Sequence, residues 1–369
     1  MPISNKLKFI YQEKNTRETT TSSSYVLQGT MLSSDKLIGG HEYMMVAWVN
    51  CASPEANAGG TKFAFEGGAG DIIGSEDQRH DTNNSGQYVC HMGQFTAPSP
   101  PQNIGVYRKR IVNNGYAEET NYGQCFAIDL SYIGASGGLV SGIDYCSSVS
   151  THSRSTTTNN IIHHHTVANT GGTTLVLASA KTTDVVAPTH VGLLVDSTLE
   201  VSGSRYATSA FDKKSIPFAL VQNIASGTDI EIKNIDSETV TTQYSYVFSL
   251  NLDDAPAINA TGRLTNWTDH TSSGSWGTKT IDGNNQDSFV IAMGRQTVTG
   301  VDSGRMASIS LLNNTKGEFL TFKERPSGNY DPLYFPATNP GTSNNQLETS
   351  VVVGVGTIGD ADEIEVTTL

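Results

Sequence analysis

Short apolar runs that alternate in period two, separated by turn-forming residues, dominate this sequence of 369 residues. They are densest in the middle of the chain: TTLVLASA (173–180), HVGLLVD (190–196), SRYATSAF (204–211), IPFALVQNI (216–224), IEIKNI (230–235) and QYSYVFSLNL (243–252). β-Branched and aromatic residues favour strands, and Gly, Ser, Asp and Asn favour turns. No window sustains a 3.6-residue apolar period over three helical turns. The sequence therefore predicts an all-β protein.

Composition narrows the range of partners. Charged residues make up 16% of the chain, below the ~25% of typical globular proteins, and the formal net charge is −13. Nucleic acids and anionic membranes attract clustered Lys and Arg, so neither is expected as a partner. The one dense basic run, RKR at 108–110, is predicted to be a solvated strand end. No apolar run reaches 18 residues, and the N-terminus has no secretory-signal pattern.

The same strand order recurs three times. A first apolar strand is found at 42–49, 173–180 and 288–293; an alternating strand at 61–68, 204–211 and 304–312; and a closing strand at 123–131, 244–252 and 347–355. A repeat of about 100–120 residues is a common size for one β-sandwich domain. We therefore predict three tandem antiparallel β-sandwich domains, with boundaries at 1–140, 141–254 and 255–369.

Strand periodicity also predicts which side chains share a face. In one strand, Phe289, Ile291 and Met293 are expected on one face, with Val290 and Ala292 on the other. In a second strand, Tyr244, Tyr246 and Phe248 are expected on the face opposite Val247. Runs that are apolar on both faces must be covered by a second chain or by packing of the three copies on one another. We expect a homo-oligomer, with a trimer preferred.

Four cysteines, Cys51, Cys90, Cys125 and Cys146, contain no CxxC pair. Without a secretory signal they are predicted to be reduced thiols. Cys90 and Cys125 lie within apolar strand patterns and are expected to be buried.

The clearest candidate for a metal site is IIHHH (161–165). On a strand, His163 and His165 face one way and His164 the other, and two imidazoles two residues apart can bind a metal. The alternative is ordinary hydrogen bonding. No carboxylate or cysteine lies beside the triplet in sequence to complete a site, so no metal and no cofactor are predicted.

Other chemistry-bearing patterns are sparse. There is no GxSxG elbow, and no pair of acidic residues is singled out for glycoside hydrolysis. IDGNN (281–285) contains an Asp-Gly turn or hairpin signal. Five aromatic residues in polar surroundings form a candidate interaction surface for a glycan or a protein: Trp267, Trp276, Tyr330, Tyr334 and Phe335. No catalytic residue is predicted.

The Thr/Ser-rich lead RETTTSSSYV (17–26), the alternating strands and the aliphatic or aromatic closing strands resemble modules of tailed-bacteriophage virion proteins. The resemblance implies that each domain is a small jelly-roll-like sandwich and is the reason why a trimer is preferred. The resemblance implies a non-enzymatic structural protein of the virion, a capsid decoration or cement protein or a head or tail appendage component. Such a protein is assembled with other virion proteins in the host cytoplasm. Two alternatives remain: a receptor- or glycan-binding tail fibre or spike protein, and a polysaccharide-degrading enzyme.

Overall fold

The structure is a computed structural model that describes most of the chain. The described residues are 8–53, 57–76, 78–82, 85–111, 117–133, 143–151, 154–158, 160–183, 188–206, 213–237, 239–253, 274–298, 307–320, 335–338 and 346–368. Strands dominate, and short 3-10 turns occur at Ser34–Lys36 and Leu130–Tyr132. Neighbouring strands pair antiparallel in every sheet. The predicted fold class, an all-β protein of antiparallel sandwich domains, is confirmed.

The first nine strands form two facing sheets, here called the first roll. Their bounds are β1 Phe9–Lys14, β2 Glu18–Thr20, β3 Val26–Leu32, β4 Glu42–Ser53, β5 Asn57–Phe65, β6 Gln78–Thr82, β7 Ser85–Thr96, β8 Ile104–Arg110 and β9 Glu118–Asp129. One sheet has the order β1-β9-β4-β7, with β2 also paired to β9, and the other has the order β3-β8-β5-β6. The chain therefore crosses repeatedly from sheet to sheet, as in a jelly roll.

The next nine strands repeat this topology and form the second roll. Their bounds are β10 Tyr145–Ser150, β11 Arg154–Thr156, β12 Ile161–Thr166, β13 Gly171–Thr183, β14 Pro188–Val195, β15 Thr198–Tyr206, β16 Lys213–Ala225, β17 Asp229–Asn234 and β18 Val240–Asn251. The sheet orders are β10-β18-β13-β16, with β11 also paired to β18, and β12-β17-β14-β15. Each strand of the first roll has a counterpart nine strands later. A single register pair, Lys213 with Arg79, connects a sheet of each roll.

Each roll has its own apolar interior, and a third apolar layer lies between the rolls. Phe63 and Val106 belong to the interior of the first roll, and Val191 and Phe218 to that of the second. The layer between them joins the outward side chains of β4, β7 and β9 to those of β13 and β18: Met44, Val46, Met92, Phe126, Ile128, Leu175, Leu177, Tyr244, Tyr246, Phe248 and Leu250. The predicted separation of Tyr244, Tyr246 and Phe248 from Val247 is confirmed, since Val247 lies in the second interior.

This layer changes the physical reason for expecting an oligomer. The sequence suggested that strands apolar on both faces are covered by other chains, with packing of the copies on one another as the competing explanation. In the structure, the second faces of β4, β13 and β18 are buried within one chain. The trimer remains a prediction, but burial of these faces no longer requires it.

The last five strands form a third sheet. Their bounds are β19 Gly274–Val298, β20 Ala307–Asn313, β21 Glu318–Phe319, β22 Phe335–Thr338 and β23 Gln346–Thr368. As predicted, Phe289, Ile291 and Met293 pack on the layer between the rolls, and Val290 and Ala292 pack on the opposite face. The Phe289 ring lies 4.8 Å from that of Phe126, between ring centroids, which anchors the third sheet on the first roll.

The pairing of the third sheet departs from that of the two rolls. In the third sheet, β23 pairs with both β19 and β20. In the rolls, β9 pairs with β4 but not with β5, and its counterpart β18 pairs with β13 but not with β14. Both β5 and β14 lie in the facing sheets. The Asp-Gly signal at 281–285 does not form the predicted turn or hairpin. It lies within β19 as a bulge, because register jumps from the Asp282–Asp360 pair to the Gln286–Ile358 pair.

The predicted boundaries at 140/141 and 254/255 lie outside the described residues and stay predictions. β9 ends at Asp129 and β10 begins at Tyr145, whereas β18 ends at Asn251 and β19 begins at Gly274.

Replacing Gly74 with Ala is expected to destabilise the packing of the two rolls. Gly74 has φ +81°, and a Cβ there would collide with the buried ring of Tyr244. Gly68→Ala is the matched control, because Gly68 has φ +84° and nothing within 4 Å of the added Cβ. Backbone strain alone is worth about 1–2 kcal/mol, and overpacking adds about 1–3 kcal/mol. Urea unfolding should therefore give the larger loss for Gly74→Ala; equal losses would contradict the collision.

Candidate functional site

The predicted aromatic surface lies mostly outside the described residues. Trp267, Tyr330 and Tyr334 belong to undescribed segments. Trp276 lies on β19, and Phe335 begins β22, where it is the register partner of Ile309 on β20. This surface therefore stays a prediction, and the two placed residues lie on different strands of the third sheet.

The histidine triplet forms β12 and follows the predicted alternation. His163 and His165 are 5% and 6% exposed, and they point between the two sheets of the second roll. The His164 side chain is 47% exposed on the other face, where its Nε2 lies 3.2 Å from Oδ1 of Asp229. Burial separates the triplet into an inward pair and one outward residue.

Serine hydroxyls from the facing sheet bind the inward pair. Ser148 on β10 lies between the two rings, with its Oγ 2.6 Å from Nε2 of His163 and 2.9 Å from Nδ1 of His165. The other ring nitrogen of His163, Nδ1, lies 2.7 Å from Oγ of Ser245 on β18. The hydrogen bonds therefore cross from β12 to the two adjacent strands β10 and β18 and join the sheets.

Cys146 extends the same cluster and was missed in the sequence. Its Sγ lies 3.2 Å from Nε2 of His165 and 2.8 Å from Oγ of Ser249. The expectation that no cysteine of the chain lies next to the triplet was wrong, because the fold brings Cys146 to it from β10. One signal was available: Cys146 and Ser148 alternate on β10 just as His163 and His165 alternate on β12.

Burial keeps His165 uncharged at neutral pH. Loss of solvent around His165 lowers the pKa of its imidazole from 6.5 to about 4, and the neighbouring His164 contributes in the same direction. A neutral imidazole has one N–H and one acceptor nitrogen, which suits hydroxyl partners on both sides. The inward histidines thus make the ordinary hydrogen bonds that the sequence analysis gave as the alternative, and the absence of a bound metal stays a prediction. Within the described residues, no three His, Cys, Asp or Glu side chains are grouped to bind a metal ion.

A buried ion pair occupies the interior of the first roll. Arg108, on β8, is fully buried and its Nη2 lies 2.5 Å from Oε2 of Glu118 on β9, in the opposite sheet. Its Nη1 donates to the hydroxyl of Thr61 at 3.0 Å. The prediction of a solvated basic run was wrong for Arg108. Side chains alternate along β8, so the middle lysine of the run, Lys109, points outward and lies over the ring of Tyr25.

His91 is a third buried imidazole, placed between the rolls. Its ring centroid lies 5.4 Å from that of Tyr244 and 6.3 Å from that of Phe63. Burial, with the charge of Lys181 as a smaller cause, lowers its pKa to about 3. Among the described residues neither ring nitrogen has a hydrogen-bond partner. His91 is therefore a neutral packing residue at neutral pH.

The thiol predictions can be compared with the same structure. Cys90 and Cys125 are buried, as expected, and Cys51 is also buried. None of the four is in a disulfide, and the reduced state stays a prediction. Burial raises the pKa of the Cys125 thiol to about 12. Cys146 is the partly exposed member of the set.

No protein-family model matches the sequence, and no curated protein matches it. Several solved structures share its β-rich character at low similarity. The STIV MCP is 10% identical, covers 69% of this chain and 99% of its own, and has a TM-score of 0.21. The VP2 subviral particle of infectious bursal disease virus is 9% identical, with 69% and 75% covered and a TM-score of 0.23. The tandem CBM22 domains of Paenibacillus barcinonensis Xyn10C are 12% identical, with 64% and 92% covered and a TM-score of 0.21.

The similar structures thus include both viral proteins and a pair of domains from Xyn10C. TM-scores this low support no assignment of function. In the described part of the chain, no helix has the length and apolar character needed to cross a bilayer.

Proposed function

We propose that this chain is a non-enzymatic structural protein of a bacteriophage virion, acting as a capsid decoration or cement protein or as a head or tail appendage component. The observation that carries the proposal is the tandem of two jelly rolls joined by a continuous apolar layer. Jelly rolls build viral capsid proteins as well as lectins. The support is therefore an analogy of fold, and it agrees with the virion resemblance of the sequence.

The physical properties of this tandem suit a load-bearing particle component. The apolar layer fixes the two rolls against each other, and the third sheet packs on the same layer through Phe289. Polar and charged groups such as Arg108, Glu118 and His163 are used to join sheets inside the rolls. The partners that we propose are other virion proteins and further copies of this chain.

The alternative is a receptor- or glycan-binding fibre or spike protein. Jelly rolls also build lectins, and Trp276 and Phe335 are strand residues of the third sheet. Binding of the purified chain to surface polysaccharide of the host cell, abolished by Trp276→Ala, would favour this function. Release of reducing sugar ends in the same assay would favour the third alternative, a polysaccharide-degrading enzyme.

Density-gradient centrifugation of virus particles tests the proposal directly. The chain, traced with an antibody, is expected to band with intact particles and to remain there after a wash in high salt. Unassembled chain is the control for its own sedimentation. Recovery of the chain only in the soluble fractions would contradict a structural role in the virion.

Oligomerisation is a separate expected result. Sedimentation velocity of the purified chain at micromolar concentration should show a species about three times heavier than the 39.4 kDa monomer, because the virion modules that the sequence resembles are often trimers with closed symmetry. A monomer that persists on concentration and does not bind particles would contradict the prediction. A monomer that binds particles would contradict only the trimer.

A further inference from the structure

We propose that His163, Ser148 and His165 form a proton-operated latch between β10 and β12, which opens when both imidazoles take up a proton. The latch is defined as these three residues, which join the two sheets of the second roll at its edge. It concerns local opening of one roll and is independent of the virion role proposed above.

Hydrogen-bond accounting shows why the neutral latch is closed. Each neutral imidazole has one donor and one acceptor nitrogen, and a serine hydroxyl donates once and can accept. Ser148 can therefore donate to one ring and accept from the other, at the observed 2.6 and 2.9 Å. The chain continues from His163 to the hydroxyl of Ser245 and from His165 to the thiol of Cys146. Every bond of the chain can run in one consistent direction.

One added proton keeps all of these bonds, but a second does not. If His165 is protonated, both of its nitrogens donate, and Ser148 accepts from Nδ1 and donates to Nε2 of His163. If His163 is protonated as well, both nitrogens that face Ser148 carry hydrogen, and the Ser148 hydrogen loses its acceptor. Two buried positive charges then share one oxygen atom. The doubly protonated latch is therefore incompatible with the closed arrangement.

The contacts described above place uncharged groups against the inward pair. These groups include the hydroxyls of Ser245 and Ser249 and the thiol of Cys146. From β17, the register partners of the two histidines are Ile232 and Ile230.

The charged groups nearby lie on the outer face of the same sheet. His164 and Thr166 contact Asp229 there, and Glu231 is the register partner of His164 and is paired to Lys233. Consistent with this arrangement, burial lowers the pKa of His165 to about 4.

The position of β10 provides a way to open. Among the described strands β10 pairs along one side only, with β18, and it begins the sheet order β10-β18-β13-β16. Edge strands open with less disruption of sheet pairing than central ones. Displacement of β10 removes the Ser148 bridge and gives both imidazoles access to water, where an imidazole has a pKa of about 6.5.

Amide hydrogen exchange of the full chain, measured as a function of pH, tests the latch. Between about pH 6 and pH 5, opening that takes up two protons should increase the opening constant of β10 and β12 by about a hundredfold per pH unit. His163→Gln or His165→Gln should reduce this to about tenfold. His164→Gln, on the same strand but facing outward, is the matched control and should retain the wild-type dependence.

Three results would overturn the proposal. The first is an opening constant of β10 and β12 that does not change with pH after correction for intrinsic exchange. The second is equal loss of protection in β4 of the first roll, which would mean global unfolding. The third applies even if the variants fail to fold: in the wild-type protein, nitrogen chemical shifts showing both His163 and His165 protonated near pH 6.5 with β10 still protected.

Discussion

Replacing Glu118 with Gln should lower the free energy of unfolding by roughly 3–5 kcal/mol, because it leaves the charge of Arg108 buried without its anionic partner. Both side chains are fully buried, and the pair connects β8 in one sheet to β9 in the other. Gly59 leaves the space that this ion pair occupies, since a Cβ at this position would collide with both charged groups. The measurement is urea unfolding at neutral pH. The midpoint of the unfolding transition should fall, while the slope of the unfolding free energy against urea concentration stays the same.

Asp71→Asn provides the matched control for this variant. Asp71 pairs with Lys62 at 2.6 Å, but the two side chains are 35% and 18% exposed. Ion pairs that reach solvent contribute about 0–1 kcal/mol, so this change should have little effect. The double variant Arg108→Met, Glu118→Leu removes both charges and should recover much of the loss. A loss below about 1 kcal/mol for Glu118→Gln would contradict the buried pair.

Acid is expected to destabilise the whole chain, with His91 a main cause. Its pKa is about 3 in the folded protein and about 6.5 when unfolded. A histidine with a lowered folded pKa binds fewer protons in the folded state, so stability is complete above the unfolded pKa and falls as pH drops below it. At 1.36 kcal/mol per pKa unit, His91 alone accounts for roughly 3 kcal/mol lost between about pH 7 and pH 4.

His91→Phe should remove this part of the acid sensitivity. Phenylalanine keeps an aromatic ring beside Phe63 and Tyr244 and cannot be protonated. Unfolding midpoints in urea, measured at several pH values, should therefore converge between wild type and variant near neutral pH and diverge in acid, with the variant more stable. Parallel curves for the two proteins would contradict a neutral buried His91.

The sequence alone determined which side chains share a face of a strand. Phe289 and Val290, Tyr244 and Val247, and His163 and His164 were each assigned to opposite faces, and the structure confirms all three pairs. The reason is that side chains of an extended strand alternate whatever the strand packs against. All twelve predicted strand runs overlap strands of the structure, because β-branched and aromatic composition acts within a few residues.

Tertiary structure decided what lies against each face. The strands apolar on both sides are covered inside the chain, because the two rolls pack outer face to outer face. The basic run at 108–110 is split by the same alternation, and Arg108 is buried because Glu118 reaches it from the facing sheet. The Asp-Gly pair became a bulge because β23 continues to pair on both sides of it. Arg108 and Glu118 are 10 residues apart, whereas the other partners lie far from each other in sequence.

The histidine cluster shows the same division at a single site. Sequence placed His163 and His165 on one face of a strand, and that placement needs only period two. It could not supply Ser148, Ser245 or Cys146, because β10, β12 and β18 meet only when the sheets of the roll close, and Ser245 is 82 residues from His163. Which side chains lie on each face of a strand is set locally. The groups that those side chains contact depend on long-range pairing and on which sheet covers the strand.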